Sequence, residues 1–333
     1  MANQEGKIPL HYAVQVESKD LTKAILELEK GSDVNAKDNR GYTSLHLATD
    51  FDNQDLVTLL IANGANLDVI SNSGHFPIHL AAKKGFVETS KILIENGCNV
   101  NAKDSNGCTP SHLAIKHATR RKAKDIIKLL VDNKADVNVE CHNHWSPLHL
   151  AIQNDLQDIV SLLIENGANL ELTSKYGDTP LSIAVQKGFH SIIKILIVNG
   201  ADVNAKDKEG YTPLHQAVDY DDKLSAKILI ASGANINVKD KDGNTPLHHY
   251  HTLNVSRMLV QKGANVMAKN KDGDTPLDNA VFENHVKIVK LFLTSGVEYN
   301  PELLRKPLHD AAIYGQKEIA KLLLQSGALI DAK

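Results

Sequence analysis

The chain alternates between short amphipathic segments and polar turns, and this pattern recurs about every 33 residues along almost the whole length. Residues 207–239 illustrate one unit. Thr212 offers a hydroxyl cap before Pro213, and proline is favoured at the first position of a helix, so a first helix is predicted here. The apolar spacing of residues 224–230 predicts a second helix, and Gly233 suits its C-terminal cap. Each unit is therefore predicted to contain two short helices followed by an extended arm.

Ten copies of the unit are marked by the residue that opens the first helix, which is proline in all copies but the second. These residues are Pro9, Ser44, Pro77, Pro110, Pro147, Pro180, Pro213, Pro246, Pro276 and Pro307. One unit cannot bury its own apolar face, so neighbouring units must stack. We predict a single array over residues 1–333. Its repeats are approximately 3–37, 38–70, 71–103, 104–140, 141–173, 174–206, 207–239, 240–269, 270–300 and 301–333.

Several phrases of the chain carry a family resemblance. They include Gly74-His-Phe-Pro-Ile-His-Leu-Ala-Ala, Gly107-Cys-Thr-Pro-Ser-His-Leu-Ala and Gly200-Ala-Asp-Val-Asn-Ala. Over essentially its full length the chain resembles ankyrin-repeat proteins. The resemblance implies an all-α fold, an ankyrin-repeat α-solenoid of helix-turn-helix units with β-hairpin-like arms. It also implies that the chain binds other macromolecules and has no chemistry of its own.

One histidine per repeat resembles the structural histidine of this family, which ties adjacent units together by hydrogen bonds. The set comprises His11, His46, His79, His112, His149, His215, His248 and His309. We therefore expect these side chains to support the fold rather than catalysis.

Composition narrows the class of partner and the compartment. A net charge of −3 and a pI near 6.6 give no general basic field, which disfavours nucleic acid as a partner. Three cysteines cannot form a disulfide framework and fit a reducing compartment. The sequence shows no signal core and no apolar run long enough to span a bilayer. We predict a cytoplasmic monomer, or one in the host cytoplasm if the chain is a secreted bacterial effector.

Arm and helix positions that vary between repeats are the candidate partner-binding residues, because the rest of each unit recurs. The family resemblance places the arms on the concave side, where exposed aromatic rings make strong binding anchors. The candidates are Tyr42, Phe51, His75, Lys83, Lys84, Lys116, Trp145, Tyr211, Tyr220 and Tyr314. In the alternative interpretation, the arm rings only pack against neighbouring arms.

Charge is distributed in bands between the predicted helices. The fourth repeat is long, with 37 positions from Pro110 to Pro147, and residues 116–124 are predicted to form a protruding basic turn. Its basic patch consists of Arg120, Arg121, Lys122 and Lys124. Acidic bands occupy residues 50–55 and 219–222. They count against the binding of a long polyanion along the whole groove. Charged turns are also common without any function.

Three repeats differ from the common pattern in ways that bear on metal binding or on local geometry. Cys141, His142 and His144 are zinc-type ligands, but the sequence nominates no fourth ligand, so no metal or cofactor is predicted. In the short eighth repeat, Tyr250 in an alanine slot predicts a local kink. We interpret His249 and His251 as the exposed polar edge of a shortened helix. The tenth repeat lacks the Asp-x-x-Gly turn, so its arm is predicted to be rebuilt.

Three functions from different classes fit these patterns. No phosphate loop, nucleophile elbow or metalloprotease helix is present, so the sequence does not indicate an enzyme. The favoured function is a protein-protein interaction scaffold that binds on its concave face. One alternative is anion binding, to nucleic acid or acidic lipid, through the fourth repeat. Another is a targeting module of a larger effector, toxin or channel chain.

Overall fold

The helices of the protein fall into two compact units, residues Met1–Lys175 and Tyr176–Lys333. The computed structural model describes residues 2–28, 33–249 and 252–330. Within those ranges it contains α-helices and one 3₁₀ helix and no β-strand. The predicted all-α class is confirmed, whereas the grouping of ten repeats into one continuous domain stays a prediction.

The first unit contains five pairs of helices. They are α1 (Pro9–Gln15), α2 (Lys19–Leu28), α3 (Ser44–Asp50), α4 (Gln54–Ala62), α5 (Pro77–Lys84), α6 (Val87–Glu95), α7 (Pro110–His117), α8 (Arg120–Asp132), α9 (Pro147–Gln153) and α10 (Gln157–Glu165). The second unit follows the same order. Its elements are α11 (Pro180–Gln186), α12 (His190–Val198), α13 (Pro213–Asp219), α14 (Lys223–Ala231), the 3₁₀ helix (Pro246–His249), α15 (Leu253–Gln261), α16 (Pro276–Phe282), α17 (Val286–Leu293), α18 (Arg305–Ile313) and α19 (Lys317–Gln325).

Each unit has two layers of helices. In the first unit, α3 packs on α4 of the same repeat and on α5 of the next, while α4 packs on α6. Leu45, Leu56 and Leu60 are completely buried between these layers, as are Ile78 and Leu93 of the following repeat. Because each apolar face is covered partly by the next repeat, the stacking inferred from the sequence supplies the core.

The arm of the second repeat is a tight turn held by one aspartate and one glycine. The Asp38 carboxylate accepts the N–H groups of Arg40 and Tyr42, at 2.9 and 2.8 Å. Gly41 has φ of 75°, and the backbone oxygen of Arg40 accepts the N–H of Asn72 in the next arm, at 2.9 Å. These two arms are thus linked by a single backbone hydrogen bond, and no strand is formed in the described residues.

The recurring histidine connects each first helix to the next arm. The N–H of Thr43 donates to Nδ1 of His46 at 3.2 Å, and Nε2 of His46 lies 3.1 Å from the backbone oxygen of His75. Equivalent contacts join His79 to Cys108 and His112 to Trp145. Since Nδ1 accepts, the proton must be on Nε2, which donates to the carbonyl.

The family-like role predicted for these histidines is confirmed at most positions. Nε2 of His149 instead meets the backbone oxygen of Leu172 at 3.1 Å. For His309 the prediction is wrong, because this side chain is exposed and no following arm lies within the described residues.

The basic turn predicted in the fourth repeat is wrong. Only Ala118 and Thr119 separate α7 from α8, and α8 is 13 residues long where most second helices have nine. The extra residues Arg120, Arg121, Lys122 and Lys124 therefore form the start of a helix. Arginine, lysine and alanine are good helix formers, which explains why the insertion extends α8 instead of looping out.

The short eighth repeat has a four-residue 3₁₀ helix, Pro246–His249, in place of a seven-residue first helix. The prediction of a shortened helix is confirmed. Tyr250, where a kink was predicted, and His251 lie outside the described residues.

The rebuilt arm predicted for the tenth repeat is confirmed. The N–H of Leu303 donates to Oδ1 of Asn300 at 3.0 Å, and α18 begins at Arg305, two residues before Pro307.

Replacing Gly41 by alanine should destabilise the fold strongly. A Cβ atom there would lie 2.5 Å from Asn72 Oδ1 and 2.7 Å from its backbone nitrogen. We expect a loss of about 3 kcal/mol or more in unfolding free energy, measured by urea titration. Gly64→Ala is the matched control, because Gly64 also has positive φ but no atom lies within 4 Å of the added carbon. Equal losses for the two variants would contradict this account of arm packing.

Stability should fall as the pH drops below neutrality. Burial lowers the pKa of His46, His79, His112 and His215 from 6.5 to about 4. The unfolded chain therefore takes up protons between these values that the folded chain refuses, and each histidine costs roughly 3 kcal/mol by pH 4.

Melting temperatures measured from pH 7 to pH 4.5 test this dependence. The slope of the pH dependence reports the number of protons taken up on unfolding. His79→Gln should reduce this number by about one, whereas the same substitution at exposed His309 should leave it unchanged. Profiles with the same slope in the wild type and the His79 variant would refute the assignment.

Candidate functional site

A cleft in the first unit collects four of the residues predicted to bind a partner. It has a volume of about 670 Å³ and is lined by arms and first helices of repeats three to five. The four predicted residues on its wall are His75, Lys83, Lys116 and Trp145. The sequence pattern alone offered no reason to separate them from the other candidates, so this grouping comes from the fold.

Trp145 is held in the cleft by its backbone. Its carbonyl oxygen accepts the N–H of Cys141 at 3.0 Å, and Nε2 of His112 lies 3.0 Å from the same oxygen. The half-buried indole has its ring centroid 5.9 Å from that of His149. Replacing the ring would therefore remove contact area without removing the backbone bonds that position residue 145.

The cleft carries positive charge from two lysines. Lys83 is half-buried, Lys116 is exposed, and neither forms an ion pair with a described residue. Burial, followed by the charge of Lys83, lowers the pKa of His75, and nearby Asp104 only partly opposes this. Burial, then Lys83 and Lys116, lowers the pKa of His117. Both shifts favour the neutral imidazoles, so Lys83 and Lys116 are the cationic side chains of the cleft wall.

Asp104 is the acidic side chain on the cleft wall, and one of its carboxylate oxygens accepts backbone hydrogen bonds. Its Oδ1 accepts the N–H groups of Asn106 and Cys108, both at 2.8 Å. Its Oδ2 lies 3.9 Å from Nε2 of His75. The carboxylate therefore closes the turn of the fourth repeat and orients the neighbouring imidazole.

Two thiols share the same wall. Cys108 of the fourth repeat and Cys141 of the fifth both line the cleft. Burial, followed by Asp104 and Cys141, raises the pKa of Cys108 to about 12. Both cysteines are half-buried and carry no disulfide, whereas Cys98 is buried. Sequence reasoning missed this pair, because it considered Cys141 only as a zinc ligand.

The other arm aromatics pack against neighbours. Tyr42 lies under the guanidinium of Arg40, 4.7 Å from ring centroid to Cζ. Tyr211, in the second unit, has its hydroxyl 3.0 Å from Nδ1 of His249, and burial raises its pKa to about 12. Both rings are half-buried, so they offer less free surface than the sequence suggested.

Phe51, Tyr220 and Tyr314 are the exposed aromatic candidates, each at the end of a first helix. Tyr314 makes an edge contact with Phe282, whose ring is also exposed, with centroids 5.6 Å apart. Phe282 was missed because its slot carries no recurring signal.

The bands of charge predicted from the sequence are partly neutralised between repeats. Lys84 lies 2.7 Å from the Asp50 carboxylate of the preceding repeat. Arg120 and Lys124 lie 3.1 and 3.7 Å from Asp158 of the following repeat. Arg121 and Lys122 are exposed, and the stem of Lys122 covers Gly85. The basic patch is therefore weaker than its sequence suggests.

One group of possible metal ligands lies in the second unit. Atoms of His215, Asp240 and His249 lie within 4.8 Å of one another. However, Nδ1 of His215 accepts the N–H of Thr212 at 3.1 Å, and its Nε2 faces the backbone oxygen of Asn244 at 3.3 Å. The first contact places the proton on Nε2, so His215 offers no free lone pair to a metal.

His249 instead connects three elements of the second unit. Its Nε2 lies 3.0 Å from Asp240, and its Nδ1 lies 3.6 Å from Asp219. Its side chain is only 17% exposed, so the predicted exposed edge is wrong at this residue. The zinc-type residues Cys141, His142 and His144 do not belong to any cluster of three ligands in the described part of the chain.

Comparisons with known proteins agree with this architecture. A family model described as "Ankyrin repeats (3 copies)" matches residues 1–71, 45–141, 116–174, 169–240, 214–302 and 250–333. The chain is also similar to the crystal structure of the ankyrin repeat domain of Bcl-3, described as a unique member of the IkappaB protein family. The identity is 25%, the match covers 77% of this chain and 99% of that one, and the TM-score is 0.59. No curated protein sequence matches the chain.

Proposed function

Since the chain belongs to the ankyrin-repeat family, we propose that it is a non-catalytic scaffold whose protein partner docks in the cleft of repeats three to five. Ankyrin repeats are generally protein-protein interaction modules, and no enzyme family is indicated. The observation that carries the choice of site is that His75, Lys83, Lys116 and Trp145 share one cleft. The arms and first helices around it correspond to the concave face predicted from the family resemblance.

The chemistry of the cleft favours one kind of partner segment. The indole of Trp145 with Leu113 and Leu150 gives an apolar wall, while Lys83 and Lys116 supply ammonium groups that form no ion pair with a described residue. An extended segment with an apolar side chain next to a carboxylate would satisfy both features. Aromatic anchors and desolvated charge pairs are typical of binding hot spots.

We further propose that the chain acts as a monomer in the cytoplasm and does not require nucleic acid. Among the described residues, no helix combines the length and the apolar character that crossing a bilayer requires. The targeting-module alternative is compatible with this proposal, because it concerns other parts of a longer protein.

Trp145→Ala should abolish capture of the partner. We expect affinity capture from a cell extract to recover one protein, and calorimetry with that purified protein to show a loss of about 2 kcal/mol or more, roughly thirtyfold in Kd. Lys116→Ala should weaken binding several-fold. Lys128→Ala is its matched control, because Lys128 is an exposed lysine on the second-helix layer.

Phe51→Ala and Tyr220→Ala test the location of the binding site independently of the protein-binding function. If Trp145→Ala still binds the partner and either of these variants does not, the site is not in the cleft, although the chain is still a protein-binding scaffold. If none of the folded variants changes binding, the arms and first helices are not the binding surface.

Anion binding through α8 is the second candidate, and pairing with Asp158 argues against it. We expect the wild type to bind a single-stranded oligonucleotide or acidic vesicles with a Kd of about 100 µM or weaker at physiological salt. Asp158→Asn should tighten this binding several-fold by releasing Arg120 and Lys124. Submicromolar wild-type binding that weakens steeply with salt would favour the anion function instead.

A further inference from the structure

The second helices of the second unit carry charge of almost one sign. Within the bounds of α12, α14, α15, α17 and α19 there are eight lysine or arginine residues and one carboxylate, that of Glu318. The second helices of the first unit, α2, α4, α6, α8 and α10, carry eight such cations and nine carboxylates. The same layer of helices is therefore nearly neutral in one unit and strongly positive in the other.

Five of these cations occupy the same position in five consecutive repeats, five residues after the N-cap of each helix. All five side chains are exposed. In the described structure α12 packs on α14, α14 on α15, α15 on α17 and α17 on α19, so the cations form one row with one member per repeat. This basic row consists of Lys194, Lys227, Arg257, Lys290 and Lys321.

No carboxylate neutralises the basic row from within its own helices. In the first unit, Lys23 and Lys91 stand at the same position, and each pairs with a glutamate four residues later, at 3.8 and 3.9 Å. In the second unit the residues four positions after the cations are Val198, Ala231, Gln261, Thr294 and Gln325. The basic row accordingly forms no ion pair with a described residue.

The charges next to the basic row leave it positive. Three further exposed lysines lie on the same helices, namely Lys223, Lys287 and Lys317. Asp222, at the N-cap of α14, is already engaged, because its Oδ2 accepts the hydroxyl of Ser225 at 2.6 Å and lies 2.9 Å from Nε2 of His190. A surface with this excess of one charge attracts a partner of the opposite charge.

We propose that the basic row docks an acidic α-helix of a partner protein, with the carboxylates of that helix aligned in one stripe. Packed helices lie about 8–10 Å apart, which sets the approximate spacing of the cations along the row. An α-helix returns to nearly the same side after seven residues, about 10.5 Å along its axis. A glutamate or aspartate at every seventh residue therefore meets one cation per repeat.

The layer offers little to other polyanions. Single-stranded nucleic acid stacks its bases on aromatic rings, but the one aromatic residue of these five helices, Phe292, is buried. Binding in the surface of an acidic membrane requires a continuous apolar face, whereas the exposed large apolar residues Val198, Leu224 and Leu324 belong to three different helices. The surface is separate from the cleft of the proposed function, which lies in the first unit.

Two synthetic peptides with the same composition test the proposal. Both are alanine- and glutamine-based helices of about 30 residues, with one glutamate for each cation of the basic row. In the stripe peptide the glutamates stand at every seventh residue, and in the spread peptide they stand at every fifth residue and so surround the helix. Calorimetry with the full-length protein at about 50 mM salt should show that the stripe peptide binds roughly fivefold or more tightly than the spread peptide.

Two charge-reversal variants with the same net charge locate the surface. Lys227→Glu with Arg257→Glu should weaken binding of the stripe peptide about tenfold or more and remove its advantage over the spread peptide. Lys91→Glu with Lys128→Glu is the matched control, because these exposed lysines lie on adjacent second helices of the first unit.

Urea unfolding curves establish that both double variants remain folded. The proposal is overturned if neither peptide binds, if the two peptides bind equally, or if the control variant loses as much affinity as the variant of the basic row. It is also overturned if phosphatidylserine vesicles or a single-stranded oligonucleotide bind more tightly than the stripe peptide, because the layer would then serve a membrane or a nucleic acid.

Discussion

The fold depends on a neutral imidazole that belongs to one repeat and bonds to the next. In His46, His79 and His112, Nδ1 accepts from the start of its own helix while Nε2 reaches the backbone of the following arm. Burial keeps these rings uncharged, and only the neutral form has one acceptor and one donor. The contact therefore joins adjacent repeats through one defined acceptor and one defined donor.

The same contact positions the candidate binding residues. The carbonyl groups that receive these histidines belong to His75, Cys108 and Trp145, all on the cleft wall. Their side chains are free to differ between repeats because this contact uses only their backbone oxygens. This separation explains how a regular array can present an irregular surface.

The recurring residues predicted most of the fold, because each of them acts locally. Proline starts a helix, aspartate closes a turn and histidine joins two units. The surface was harder to predict. The insertion before Lys124 was expected to form a turn and extends α8 instead, since helix propensity competes with loop formation. The grouping of Lys83, Lys116 and Trp145 depends on three repeats at once, and nothing in one repeat signals it. His249 was misjudged because its partners, Asp219 and Asp240, lie in separate parts of the sequence.

The register between an arm and the following turn also bears on how such arrays can be engineered or can evolve. Two couples are drawn from adjacent repeats: His75 with Asp104 in the following turn, and Tyr211 with His249 in the following 3₁₀ helix. A cut at the repeat boundary would separate the members of every couple, so a transplanted repeat would arrive with half of each contact missing. The exchangeable segment of this protein is therefore one arm together with the turn and first helix of the next repeat, and new specificities should be built from such overlapping segments.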